Sequence, residues 1–427
     1  MKKRDFSPKL PLLIIFMAFS FGIWEAQAEK GAKIASEAVV GNEIRISVQA
    51  ESEEEDPVGA WGKNRYLVVW QSTRNGPTGI YGTYLNSNGQ IIHVNGHSDS
   101  FPASSSRADQ LFPNIAWGDK QFLVVWQDLR NKKNWEVYGG RIDSNGNRLD
   151  SNDLPIGIGS GNRRHPVVAW NGTNFLVVWM EERPGSGWDI VGRRIAPDGS
   201  AVDSKALLIS GVGGNQTSPS VTGIGDDFFV AWMDARKGKA QDIYGARIDR
   251  NGKVLDPEGI IIASTPGDQS YPAVAWNGEN IIAVWVDRRE GTQYLLYGAR
   301  IDPNGTVLDP TGIPLSIVPH LHMFPDVSCR KSECLVVWEE EPESGKKITN
   351  IQDIVRDVNA LLLKSSTKGL TILTPAVPIP ISPHALGNHF SRVTTDGQKY
   401  LVVWKDYRSL LAGDFARLIE IPTASKQ

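Results

Sequence analysis

A short apolar string, LVVW or a close variant, recurs seven times, ending at Trp70, Trp126, Trp179, Trp232, Trp285, Trp338 and Trp404. Successive tryptophans lie 56, 53, 53, 53, 53 and 66 residues apart. A unit of this length cannot enclose a core alone, so such a chain must stack similar units, each burying its apolar surface against its neighbours. Stacking also lets 427 residues form one body.

Aligned on the tryptophan, one repeat reads PxVAW, an NG-type turn, FLVVWxDxR, a polar loop, DIYGxRID, a second NG turn and GIxI. These are four strands. The first hairpin is clearest in Pro166 to Trp170 and Phe175 to Trp179, joined through Asn171-Gly172, a dipeptide suited to turns with positive φ. In the second strand Phe122, Val124 and Trp126 alternate with Leu123 and Val125, so both of its faces are apolar and both must be covered. Four-stranded units with a doubly covered strand, repeated seven times, predict an all-β, seven-bladed β-propeller.

The seventh repeat stops after its third strand, near Asp414 to Ile421, while Glu43 to Val48 reads as an unclaimed fourth strand. The N-terminal strand is therefore expected to complete the last blade and remove the open sheet edges at the seam. The sixth repeat carries extra residues over about 346–375, read as an insertion or an extended hairpin, with Val377 to Ile381 as its fourth strand. Pro378 and Pro380 suit only an outer position there.

The first 28 residues carry Lys2, Lys3 and Arg4, an apolar run from Leu10 to Trp24, and Ala26-Gln27-Ala28, the pattern of a cleaved signal peptide. Residues 29–427 then form a single propeller domain, secreted or periplasmic. No later stretch reaches the roughly 18 apolar residues of a membrane span. The net charge is −3. Lys2, Lys3, Arg4 and Lys9 outweigh Asp5 and Glu25 by two, leaving −5 after Ala28 and arguing against a nucleic-acid partner.

The strings WMDARKGKAQDIYGARID from Trp232 and VVWQDLRNKKNWEVYGGRID from Val124 resemble the DIY-containing repeats of TolB-type propellers. That resemblance implies the propeller fold, and a repeat used by binding proteins, by peptidase propeller domains and by some polysaccharide lyases. This chain differs in the PxVAW of its first strand.

What recurs in every blade is read as scaffold, and what breaks the pattern as a candidate for function. The acid-x-Arg pairs Asp128/Arg130, Glu181/Arg183, Asp234/Arg236, Asp287/Arg289 and Asp406/Arg408 recur, with Ser72/Arg74 and Glu340 as partial copies, and are expected to link adjacent blades by charge-assisted hydrogen bonds. The D-x-N-G strings at Asp143, Asp249 and Asp302 read as tight turns; a calcium loop would need more oxygen ligands.

His165, His320, His322, His384 and His389 all precede a first strand, on the side where propellers usually bind ligands. His320, His322 and His389 are candidates for a metal or general-base site, joined by Tyr271 and Arg289 as candidates for catalysis. Phe112, Tyr271, Phe324 and Phe390 occupy one recurring slot directly before the first strand, with His165 in the same place, and Trp135 and Trp188 lie in the loops after the second strand. Trp135, Trp188, His165, Phe324 and Phe390 are the ligand-binding candidates, since apolar platforms beside polar groups suit sugar rings or peptide side chains. Cys329 and Cys334 replace the slots of Trp117 and Phe122, which face each other across a hairpin, and so are expected to form a disulfide.

These readings favour an exported monomeric binding module for a polysaccharide or protein, without cofactor. The alternatives are a polysaccharide lyase or hydrolase with a histidine-rich site on the propeller face, and a structural envelope protein. In a lyase a His or Tyr would abstract the proton beside a uronic carboxylate while Arg or a metal neutralises that carboxylate.

Overall fold

The computed structural model describes residues 38–421 apart from 48–51, 75, 95, 97–99, 239, 290, 292, 317–320, 342–355, 374–378, 383–388 and 408–412. The leader proposed for residues 1–28 lies outside the described residues, as do His320, His384, Arg408 and Pro378. Among the described residues there is no helix, and none that could cross a membrane.

Seven antiparallel sheets form the blades of a propeller. Their inner strands are Glu54–Gly62, Gln110–Gly118, Arg163–Trp170, Gln216–Ile224, Gln269–Trp276, Leu321–Arg330 and His389–Thr395. Each packs beside the next, and the seventh beside the first, closing a ring. The second strand of each blade is buried on both faces, as its double apolar pattern requires: Phe122 to Trp126 are all inaccessible to solvent, and all seven repeat tryptophans are among the largest fully buried side chains. The clusters around these strands draw residues from pairs of neighbouring blades, so the core lies between sheets.

The closure follows the sequence expectation in a kinked form. Val39–Val40 and Ile44–Arg45 both pair with Gly413–Glu420, the third strand of the last blade, and the Gly41 amide between them donates to the Leu418 carbonyl at 2.8 Å. Ile46 is fully buried at this seam, against Tyr66, Val68 and Leu401. In the sixth blade the extra residues lengthen the third strand, Asp357–Ser366, which pairs with Gly369–Ile372 as an extended hairpin and with Ile379–Ser382 as the outer strand. Pro380 sits exposed in that outer strand, where its missing N–H interrupts no ladder. Cys329 and Cys334 lie directly opposite each other and are bonded, Cα to Cα 4.0 Å.

Two expectations need correction. Among the described residues the acid-x-Arg pairs do not bridge blades. Asp128, Asp234 and Asp287 accept the indole N–H of their own blade's Trp126, Trp232 and Trp285 at 3.1, 2.8 and 2.9 Å. Each also pairs with the arginine two residues on, which lies over a tyrosine of the third strand (Tyr138, Tyr244 or Tyr297). The motif is thus W-x-D-x-R, and it holds one blade together from within because both partners leave the same strand end. In the first blade the acid stands across the hairpin: Ser72 fills its slot, and Glu54 accepts from Trp70 and Arg74. The links between blades come from the arginine of DIYGxRID. Arg141 and Arg194, held by Asp150 and Asp203 at 2.6 Å, reach carbonyls of the following blade at Pro197 and Arg250.

The second correction concerns where the inner strand starts. It begins before the PxVAW string and carries a bulge at the proline, for example between Arg164 and Val167. Proline cannot donate to a ladder, and the chain accommodates it by leaving two residues unpaired. The D-x-N-G strings are tight turns, with the Asp143 carboxylate accepting the amides of Asn145 and Asn147 at 2.8 and 2.9 Å.

Candidate functional site

The seven bulges place seven side chains around the propeller axis. The first residue of each bulge is Asp56, Phe112, His165, Ser218, Tyr271, Phe324 or Phe390, and every one has a left-handed backbone, with φ between 48° and 59°. Six are followed by proline. Left-handed conformations cost free energy in residues other than glycine and persist where the surrounding structure over-determines them, which is common at binding sites. The repetition of one strained conformation in all seven blades shows that it is built by the fold. The second residue after each ring position forms a lower ring: Val58, Asn114, Val167, Ser220, Ala273, Asp326 and Arg392. Together the two rings line a cavity of about 370 Å³, within the roughly 300–1,000 Å³ range of small-molecule sites.

Aromatic rings line most of the mouth. Tyr271 lies 4.6 Å from Phe324, Phe324 lies 5.5 Å from Phe390, and Phe112 lies 4.3 Å from His165, centroid to centroid. Second-strand side chains support some ring positions from the preceding blade: Gln71 and Gln127 accept the amides of Phe112 and His165 at 2.8 and 3.2 Å, and Glu339 accepts that of Phe390. In the lower ring Asn114, Ser220 and Asp326 accept the amides of Val168, Val274 and Val393 in the next blade, at 3.0, 3.1 and 2.9 Å. These bonds fix the rings relative to one another.

The charged members occupy blades six, seven and one. Asp56 carries a buried Oδ1 with no hydrogen-bond partner among the described residues. Burial, then the neighbouring Glu55, push its pKa up to about 7, against the pull of Lys405 and Arg392. Asp326 touches the channel but is walled by protein, so burial raises its pKa although Arg392 and the amides of Val393 and Val327 favour the anion. His165 is accessible from the channel mouth yet has protein around most of its ring. Burial, with Arg164 and Arg392 nearby, lowers its pKa to about 4, which keeps the imidazole neutral at physiological pH.

Of the residues singled out from the sequence, His165, Tyr271, Phe324 and Phe390 line this cavity, as does Phe112. Trp135 and Trp188 are half-buried and lie outside its lining, with Trp188 stacked 5.8 Å from the guanidinium of Arg164. His322 is not in the cavity: it is fully buried, its Nδ1–H donates to the Tyr294 carbonyl at 2.6 Å, and its Nε2 meets Ser316 Oγ at 2.9 Å. It stands two residues before Phe324, and the bulge at Phe324 breaks the alternation that would have put both on one face. Arg289 is held by Asp287 and the Thr311 carbonyl, away from the lining. His389 pairs through its backbone with Lys405, and its side chain is outside the described residues. Among the described residues no group of three or more His, Cys, Asp or Glu could hold a metal ion.

The residues that sequence reading missed are Asp56, Asp326 and Arg392. The signal was present: in the slot two after the ring position, Asp326 and Arg392 interrupt a series of uncharged residues, and Asp56 is the acid among ring positions that are otherwise aromatic or serine.

No protein-family model matches the chain, and no curated protein matches it. The TolB-type resemblance thus rests on the repeat strings alone. Among solved structures, a protein of unknown function from Dyadobacter fermentans is 9% identical, with 90% of this chain and 100% of that one aligned at a TM-score of 0.52. A thermostable family-43 glycoside hydrolase is 11% identical over 80% of this chain and 97% of its own, TM-score 0.41. The Bacteroides ovatus protein Xyloglucan PUL GH43B is 11% identical over 89% and 96%, TM-score 0.38. At 9% identity the likeness to the Dyadobacter protein is one of fold alone.

Proposed function

We propose that the protein is a polysaccharide-directed hydrolase that takes part of a glycan into the axial cavity. The observation that carries this reading is Asp56, the one carboxyl among seven otherwise aromatic or neutral ring positions, without a partner of its own and holding its proton near neutrality. A carboxyl in that state can donate a proton to a glycosidic oxygen, and hydrolysis of such a bond needs a second carboxyl to meet water or the sugar. Asp326 is the candidate for the second role, with Arg392 beside it. Tyr271, Phe324 and Phe390 offer the apolar faces on which a sugar ring rests. The disulfide supports folding in an oxidising compartment, where extracellular glycans are met.

A non-catalytic glycan-binding module is the second reading, and one contact favours it: Asp326 already accepts the Val393 amide, which anchors it as a piece of scaffold. Reducing-end release from a panel of plant and microbial polysaccharides separates the two. Hydrolysis that falls at least 100-fold in Asp56→Asn and in Asp326→Asn supports the first. Binding on a glycan array without release leaves the second, and a rise in ultraviolet absorbance from unsaturated products would indicate a lyase. The absence of both binding and release would overturn the carbohydrate reading.

A further inference from the structure

Most arginines of this chain are committed to acidic partners, from Arg74 with Glu54 to Arg300 with Asp309. Arg392 is different. Among the described residues its guanidinium makes a single hydrogen bond, to the carbonyl of the preceding Ser391 at 3.1 Å, and no ion pair within 4.0 Å. It lines the axial cavity in a slot that holds Val58, Val167 or Ala273 in other blades, so the fold does not require a cation there. A planar fork with several unspent donors, half-buried in a cavity, matches a carboxylate. Neither nearby acid occupies the fork: Asp326 accepts the Val393 amide, and no ion pair within 4.0 Å joins Arg392 to Asp326 or Asp56. Arg164, also without an acidic partner among the described residues, is not part of the cavity lining: its guanidinium lies against Trp188, outside it. Arg392 is therefore the uncommitted arginine of the cavity lining.

We infer that the axial cavity selects a sugar bearing a carboxylate, a uronic acid residue, through Arg392 in its lining. This rests on the glycan reading of the same site and narrows it. The probes are galacturonate, glucuronate, mannuronate and guluronate oligosaccharides, each paired with its carboxyl-reduced counterpart, which keeps the ring and removes the charge. Calorimetric titration of the full chain is expected to show at least one uronate series binding about 10- to 100-fold tighter than its reduced partner, the worth of a charge-assisted contact. Arg392→Met should bring that ratio to within about twofold, while Arg392→Lys, which keeps the charge but not the fork, should retain part of it. The ratio is read within one variant, so a general loss of stability does not imitate the result. Equal binding of charged and reduced sugars, or a preference unchanged in Arg392→Met, overturns the uronate inference while the glycan reading stands. Binding of no sugar in either form overturns both.

Discussion

Asp414 occupies a slot that is apolar in every other blade. Register places it where Ile80, Val137, Ile190, Ile243, Leu296 and Val358 stand, each beside the residue that follows the repeat tryptophan. It is fully buried, and among the described residues neither carboxyl oxygen has a hydrogen-bond partner. Lys405 opposes it in the ladder but pairs with Glu55 across the seam. Replacing Asp414 by valine, the occupant in two blades, removes an unsatisfied buried group costing about 1–3 kcal/mol. It also buries an aliphatic side chain worth about 1.5–3 kcal/mol, less about 1–3 kcal/mol for the added volume. The midpoints of these ranges give a net stabilisation of about 2 kcal/mol while the carboxyl is protonated in both states. Burial, then Glu54 and Asp56, raise the folded-state pKa of Asp414 well above its ordinary value. An unfolded aspartate loses its proton near pH 3.9 and the folded one holds it far longer, so wild-type stability falls as pH rises through that interval. Valine has no such dependence. The advantage of Asp414→Val should therefore be smallest near pH 4 and grow toward neutrality, read as the difference in urea midpoint between the two proteins at each pH with equal slopes. A variant less stable than wild type at pH 7, or a gain of the same size at pH 4 and pH 7, would refute the reasoning.

Three further outcomes follow from the fold. Ile46→Ala should cost about 2–5 kcal/mol in denaturant unfolding, because Ile46 is the fully buried residue with which the N-terminal segment closes the ring; an unchanged midpoint would show that closure contributes nothing. Replacing both Cys329 and Cys334 by alanine, which opens a link of sequence separation 5, should cost about 2 kcal/mol, and mass spectrometry of unreduced protein should find no free thiol. His165 has its folded-state pKa lowered to about 4, so stability should fall as pH drops from about 6.5 toward 4, where only the unfolded chain gains the proton. In His165→Phe, which installs the residue of blades two, six and seven, that acid-limb loss should disappear from the melting curves; its persistence would assign the loss to other groups.

Much of the architecture was legible because it is encoded locally. The alternation around Trp126 required two covered faces, and the missing fourth strand after Asp414 matched the spare strand near Ile44. Cys329 and Cys334 could be paired because a hairpin of known register places their equivalents, Trp117 and Phe122, opposite each other. The site was legible in part. Phe112, Tyr271, Phe324 and Phe390 were identified as one series because they precede the same string, whereas His322 was misplaced because one bulge reverses the direction of a side chain two residues away.

The amino-acid sequence by itself determined the number of blades, the buried strand, the closing strand and the disulfide, since periodicity and register are short-range properties of a chain. Tertiary structure alone decided that Asp56, Asp326 and Arg392 share one cavity while Arg289 and His322 are held in the scaffold. Those residues come from distant repeats, and their meeting depends on ring closure and on seven left-handed bulges that turn particular side chains toward the axis.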